Sequence, residues 1–99
     1  MTDFTKQPSE QFPIAFEYFG NLPFGATIVS GTASAYNVTD SSEATDDVIQ
    51  STDATIVGTQ ARVGIEGGTD GKTYKITCTV TLSDGSILED EATVGVVET

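Results

Sequence analysis

The sequence EGGTDGKTYKITCTVTLSDGSILEDEATVGVV, residues 66–97, decides the fold of this chain. Its residues 73–83 alternate between polar and apolar positions, and the apolar ones are Tyr74, Ile76, Cys78, Val80 and Leu82. A period of two, rich in β-branched and aromatic residues, is typical of a half-buried strand. The turn residues of segment 83–86 come next, and then a second stretch with apolar residues on one face. We therefore predict a long β-hairpin.

The rest of the chain repeats this pattern in shorter pieces. Apolar runs separated by turn residues predict about seven strands at a spacing of about 8–12 residues, which is typical of a β-sandwich. Helical periodicity is absent, so we predict an all-β fold, an immunoglobulin-like β-sandwich of about seven antiparallel strands. Residues 1–99 are expected to form a single immunoglobulin-like domain in which residues 1–12 are an N-terminal edge segment or arm.

The N-terminal part of the chain holds all of the phenylalanines. Five of them lie in the first 24 residues, and the remainder of the chain has none. We expect these rings to supply much of the core from the N-terminal side. The alternative is that Phe19 and Phe24 are exposed contacts, because scattered surface aromatics are common.

A glycine-rich link precedes the long strand. Gly68, Asp70 and Gly71 lead into Tyr74, which opens that strand. In immunoglobulin-like sandwiches a tyrosine at this place folds back and bonds to upstream backbone, an arrangement called the tyrosine corner. Glycines allow the steep turn that the corner needs. We predict such a corner from these four residues, and the alternative is that Tyr74 is an ordinary core ring.

The charge of the chain excludes several classes of function. Four basic residues face fifteen acidic ones, the formal net charge is −11, and there is no histidine. Nucleic-acid binding needs clustered Lys or Arg, and so does binding to an anionic membrane surface, so we predict neither. The single cysteine, Cys78, lies on the apolar face of the long strand, and no histidine could activate it. We predict no catalytic residues, no cofactor and no metal, and hence no enzyme.

The remaining candidates for function are loop residues that could contact another molecule. Segment 37–47 is polar, acidic and without periodicity, and we expect it to be the longest loop. The predicted contact residues are Tyr36, Asn37, Asp40, Asp46, Asp47, Asp84 and Gly85. If these carboxylates converged at one end of the sandwich they could bind calcium, although no consensus loop is present. The alternative function is therefore a carbohydrate- or calcium-binding module for surface attachment, with a host surface glycan as the ligand.

Three stretches of the chain resemble a family of small structural proteins of tailed bacteriophages and prophages. They are residues 3–18 with the Lys6-Gln7-Pro8 segment, residues 67–76, and residues 84–91 with the acidic Glu89-Asp90-Glu91 run. The resemblance implies a virion structural protein, made in the bacterial host cytoplasm and located in the capsid as a decoration protein, in the neck or in the tail. It also implies that the partners are other virion proteins, and a homo-oligomer is compatible with it. The resemblance transfers no site residues.

Overall fold

The computed structural model describes residues 2–98, which form eight strands, a short α-helix and a 3-10 turn at Phe19–Asn21. The strands of the first half are β1 (Thr2–Lys6), β2 (Phe12–Glu17), β3 (Ile28–Asn37) and β4 (Ser42–Glu43). Helix α1 (Thr45–Val48) comes next, and the remaining strands are β5 (Thr55–Val57), β6 (Gln60–Ile65), β7 (Thr73–Leu82) and β8 (Ile87–Val96). Residues 1 and 99 of the expected domain lie outside the described residues. No described helix combines the length and the apolar character needed to cross a bilayer.

The strands form two sheets, so the predicted all-β fold is confirmed. One sheet has the order β1-β8-β7-β3-β4 and the other the order β2-β6-β5. The prediction that every strand is antiparallel is wrong, because β1 runs parallel to β8, with Thr2 opposite Ala92 and Lys6 opposite Val96. The eight described strands agree with the expectation of about seven, and the two-residue β4 falls in a segment without any periodic signal. The immunoglobulin-like assignment remains a prediction with which this strand order is consistent.

The β7–β8 hairpin forms as predicted and is the frame of the larger sheet. The two strands pair from Thr73 opposite Gly95 to Thr81 opposite Ile87. Every second residue of β7 is buried, and Cys78 is fully enclosed. The period-two pattern thus places one face of the hairpin against the second sheet, where Ile14, Val63 and Ile65 are also buried.

A bulge near the start of β3 changes the face on which its residues lie. The pairing with β7 shifts between Ile28 and Ser30. As a result Ile28 and Gly31 both face the interior, whereas Val29 is exposed. Strict alternation would have placed Ile28 and Gly31 on opposite faces, so the bulge decides which residues this end of the strand shows to solvent.

The phenylalanines contribute less to the core than we expected. Phe16 is buried, and Phe4 and Phe12 are partly buried, with ring centroids 6.4 Å apart. Because Phe4 lies on β1 and Phe12 on β2, this pair bridges the two sheets. Phe19 and Phe24 are exposed, which agrees with the alternative interpretation of these two rings.

Candidate functional site

The link between β6 and β7 forms a tight corner around Tyr74. The Tyr74 hydroxyl accepts a hydrogen bond from the backbone N–H of Thr69 at 2.9 Å. The Gly71 N–H donates to the carbonyl oxygen of Val96 at 2.8 Å, and the Val96 N–H donates to that of Lys72 at 2.9 Å. The first bond attaches the link to Tyr74, the first buried residue of β7. The other two attach it to Val96, the last residue of β8.

Gly68 fits the corner for two separate reasons. Its φ angle is +91°, in the region that favours glycine. A Cβ at this position would also lie 2.8 Å from Cγ2 of Val96. Gly71 has a similar φ of +85°, but a Cβ there would meet nothing within 4 Å. Asp70, between them, accepts the N–H of Glu98 at 2.9 Å through Oδ1.

Lys6, the last residue of β1, is buried although it is a basic residue. It is 1% exposed, and its Nζ donates hydrogen bonds to the carbonyl oxygens of Gln7 at 2.7 Å, Pro8 at 3.3 Å and Gly67 at 2.5 Å. Burial lowers the pKa of Lys6, and the nearby Glu10 carboxylate opposes this shift. A buried ammonium group is tolerated when its donors are satisfied. Lys6 therefore holds the N-terminal segment against the corner.

We call the end of the sandwich that contains this link the corner end. Here Lys72 Nζ lies 3.0 Å from Asp40 Oδ1, and this ion pair joins the β6–β7 link to the β3–β4 link. Asn37 is buried, its amide donates to Asp40 Oδ2 at 3.2 Å, and its own Oδ1 accepts the Asp40 N–H at 3.0 Å. Asn37 and Asp40 thus order the β3–β4 link, and Asn37 presents little surface for contact with another molecule.

The corner end is strongly acidic. The segment predicted as one long loop contains β4 and α1, and Asp46 and Asp47 lie exposed on α1. Tyr36 lies on β3 rather than in a loop and is 40% exposed. The exposed carboxylates at this end belong to Asp40, Glu43, Asp46, Asp47, Asp70 and Glu98.

The opposite end gathers the β2–β3 link and two turns. The Ser83 N–H donates to the Thr27 carbonyl oxygen at 2.8 Å, and the Thr27 N–H donates to Ser83 Oγ at 3.0 Å. The Tyr18 N–H donates to the Thr59 carbonyl oxygen at 3.0 Å. The β2–β3 link, the β5–β6 turn and the β7–β8 turn therefore meet at one end of the molecule.

This end exposes apolar side chains, and we call it the aromatic end. Its exposed apolar residues are Phe19, Phe24, Val29, Val57 and Ile87. The Phe24 side chain is entirely exposed, and that of Phe19 is 75% exposed. Large exposed apolar side chains at one end of a molecule are candidates for contact with another protein. From the sequence, exposure of Phe19 and Phe24 was expected only as an alternative, and no sequence signal marks Val29, Val57 or Ile87 as exposed.

The Asp84-Gly85 turn belongs to the aromatic end. The Asp84 Oδ1 accepts the Ser86 N–H at 2.9 Å, and this bond lowers the pKa of Asp84. Asp84 thus lies at the opposite end from Asp40, Asp46 and Asp47, and these four carboxylates do not converge on one site. Within residues 2–98 no group of three acidic or cysteine side chains is arranged to hold a metal ion.

A third surface is the side of β8 that β1 leaves uncovered. β1 pairs with residues 92–96 of β8, so residues 87–91 have no strand on that side within the described range. The Val96 N–H donates towards β7, whereas the Val97 N–H donates to Lys6 on β1. Because backbone groups alternate along a strand, those of Ile87, Glu89 and Glu91 point away from β7. We call this side of residues 87–91 the open edge.

A cleft lies beside the open edge, between β1, β2 and β8. Its volume is about 230 Å³. It is lined by Phe4, Ile14, Ala15, Phe16, Glu17, Asp90 and Ala92. The Glu17 Oε1 accepts bonds from the Thr59 hydroxyl and the Phe19 N–H, in that order of importance, and these lower the pKa of Glu17. The lining of the cleft therefore combines apolar side chains, of which Ile14 and Phe16 are almost fully buried, with the carboxylates of Glu17 and Asp90.

β2, on the other side of the cleft, is also an edge strand. The Tyr18 N–H points to Thr59, so by alternation the backbone groups of residues 13, 15 and 17 point away from β6. Pro13 has no N–H and occupies one of these outward positions, so the sheet loses no bond.

Residues 6–95 match the model of a protein family described as podophage GP4 fiber-tail adaptor protein gp77. The matched range covers most of the chain and contains Lys6, the corner, the aromatic end and the open edge. No curated protein matches the chain.

Proposed function

We propose that this chain, which belongs to the family of podophage GP4 fiber-tail adaptor proteins gp77, is a non-enzymatic adaptor that joins two other virion proteins. As a member of this family it is a structural protein of the phage tail and a component of the virion. The sequence suggested three locations in the virion, namely the capsid, the neck and the tail. The family supports the tail.

The observation that carries the proposal is the chemical difference between the two ends of the molecule. The sandwich measures 45 × 23 × 21 Å, and the ten-residue strands β7 and β8 run between the corner end and the aromatic end. An adaptor must contact two different neighbours at once without the two contacts competing. An elongated body with a cluster of exposed carboxylates at one end and two exposed phenylalanines at the other meets this requirement.

The aromatic end would provide the apolar contact. Burial of one exposed Phe side chain contributes on the order of 1.5–3 kcal/mol, so Phe19 and Phe24 together could anchor a stable interface. The corner end would dock on a basic surface, since Asp46 and Asp47 are exposed there. Charge at such a surface speeds association and selects the partner more than it adds affinity.

The same proposal includes how the protein is made and assembled. We propose that it is synthesised in the host cytoplasm, because its single cysteine, Cys78, is buried as a thiol and needs no oxidising compartment. Self-association is less favoured than contact with other virion proteins, since copies with a net charge of −11 repel one another.

Deletion of the gene from the phage or prophage that encodes the chain tests the adaptor function. We expect particles that keep their tail but lack fibers, with attachment restored by the wild-type gene. Electron microscopy and mass spectrometry of purified particles give the readout. Particles that carry fibers without the protein would refute the proposal.

Variants at the two ends then separate the two contacts. Phe24→Ser should weaken one attachment, and the matched control is Val38→Ser, which alters a half-exposed valine at the other end. Asp46→Lys combined with Asp47→Lys should weaken the other attachment, with the exposed Asp53→Lys as the charge control. Each end variant should lose one partner and keep the other in particle composition.

A further inference from the structure

We propose that the open edge of β8 and the adjacent cleft bind an extended segment of another virion protein in which apolar and basic residues alternate. This inference deepens the proposed adaptor function and rests on it for the class of partner. It concerns neither of the two ends, and it identifies a third surface with its own mode of recognition, the addition of a strand to a sheet edge.

The backbone of the open edge is ready to pair. The outward groups of Ile87 and Glu89 face no strand among the described residues, and an added strand would continue the line of β1 along β8. The Glu91 N–H is bonded to Asp90 Oδ1 at 2.8 Å. An incoming backbone carbonyl can replace that oxygen, and the Asp90 carboxylate is then released to meet a cation.

The cleft explains why one face of the bound segment should be apolar. Side chains of an added strand alternate between the two faces of the sheet. Those on the inner face would lie over the cleft, where Ile14 and Phe16 are already almost fully buried and Phe4 is the aromatic residue with surface left to cover. Phe4 is only partly buried, so an apolar side chain placed there would remove further apolar surface from water.

Carboxylates explain why the remaining residues of the segment should be basic. Glu89 is exposed on the outer face of the sheet, where the basic side chains of the segment would lie, whereas Asp90 and Glu17 line the cleft on the inner face. Glu91 already forms an ion pair with Lys75, whose Nζ lies 3.2 Å from Oε2. Opposite charges on neighbouring strands stabilise a pairing and like charges oppose it.

A second copy of this chain does not fit the open edge. Two such edges side by side would bring Glu89 and Asp90 against the same acids of the other copy. The chain has only four basic residues. Lys6 is buried, Lys72 and Lys75 are in ion pairs, and Arg62 bonds to Gln60. The basic residues must therefore come from a different protein.

Amide chemical shifts of the ¹⁵N-labelled protein test the inference directly. The probe is the acetylated and amidated peptide KVKVKVK, with EVEVEVE and the block isomer KKKKVVV as controls. We expect saturable shifts confined to residues 4, 14–17 and 87–92 with the alternating basic peptide and none with the acidic one. Equal binding of the block isomer, or shifts spread over all acidic residues, would overturn the inference.

Two substitutions at Glu89 separate backbone pairing from charge. Glu89→Pro removes the outward N–H and leaves the bonds of β8 to β7 in place, because residue 89 points away from β7. Glu89→Gln removes the charge and keeps the N–H. We expect Glu89→Pro to weaken peptide binding by about tenfold or more and Glu89→Gln by only a few-fold, while both variants melt as folded proteins. Wild-type affinity in a folded Glu89→Pro variant would overturn the inference.

The failure of this inference and the failure of the adaptor function give different results. If the peptide does not bind at the open edge while deletion of the gene removes the fibers, only the third surface is refuted. If fibers attach without the protein, the adaptor function fails whatever the peptide experiment shows. In phages that carry the variant genes, the loss of one tail protein with Glu89→Pro but not with Glu89→Gln would support strand addition.

Discussion

Replacing each of the three tyrosines with phenylalanine should affect stability according to the hydrogen bond that each hydroxyl makes. Tyr74→Phe leaves the ring in the core but takes the acceptor from the Thr69 N–H. The net contribution of one hydrogen bond is about 1 kcal/mol, and a donor left without a partner costs about 1–3 kcal/mol when buried. Since Thr69 is itself exposed and water can reach its backbone in part, we expect a loss of about 1–2 kcal/mol in the free energy of unfolding.

The other two tyrosines provide internal comparisons. The Tyr18 hydroxyl donates to the carbonyl oxygen of Cys78 at 2.9 Å. Cys78 lies opposite Asp90 in the β7–β8 pairing, so the same oxygen also points to the Asp90 backbone. Tyr18→Phe therefore leaves that carbonyl with a partner, and we expect a loss of about 1 kcal/mol. The Tyr36 hydroxyl makes no hydrogen bond to the described residues, and its side chain is 40% exposed, so Tyr36→Phe should change stability by less than about 0.5 kcal/mol.

Urea unfolding followed by far-ultraviolet circular dichroism measures these differences. At this chain length a loss of 1 kcal/mol lowers the melting temperature by roughly 4–8 °C, so the Tyr74→Phe effect should also be visible in a thermal melt. The urea dependence should stay unchanged, because the surface exposed on unfolding is the same. A Tyr74→Phe variant with wild-type stability, or a Tyr36→Phe variant destabilised as much as Tyr74→Phe, would refute the assigned corner bond.

Single groups in the corner and the core give three more predictions. Gly68→Ala should destabilise the protein by about 1 kcal/mol or more beyond Gly71→Ala, because both substitutions strain a positive φ but only Gly68 lacks room for a Cβ; equal losses in urea unfolding would contradict the clash with Val96. Burial raises the pKa of Tyr18 above its ordinary value of 10.0, with the bond to Cys78 adding to the shift. The unfolded chain therefore loses this proton first, and the free energy of unfolding should fall with pH above 10.0 in the wild type but less in Tyr18→Phe; identical pH profiles would exclude Tyr18 as the source. Cys78 is fully buried and burial raises the pKa of its thiol, so a thiol reagent such as dithiobis-nitrobenzoate should label it only in denaturant; rapid labelling of the native protein would show that the core opens.

The sequence predicts best those features that neighbouring residues determine. The β7–β8 hairpin is predicted by uninterrupted alternation and by the Asp84-Gly85 turn, and these signals need no knowledge of the rest of the fold. The glycines before Tyr74 likewise indicate the link in which its hydroxyl meets backbone.

Features that depend on distant parts of the chain escape such reasoning. The bulge at Val29 adds one residue to β3 and reverses the face on which the later residues of the strand lie, which alternation cannot show. Lys6 would be expected in solvent from its charge, yet the carbonyl of Gly67 that helps to bury it is 61 residues away. The aromatic end also needs the fold, because Phe19 lies in the β2–β3 link, Val57 at the end of β5 and Ile87 at the start of β8.

The parallel pairing of β1 with β8 has a consequence for folding. Thr2 lies opposite Ala92, so the contact closes nearly the whole chain into a loop, and contacts of such high order are formed late and slowly. During synthesis the first strand must wait unpaired until its partner has left the ribosome. The N-terminal segment is thus made first, but its pairing with β8 has to wait for the last strand of the chain.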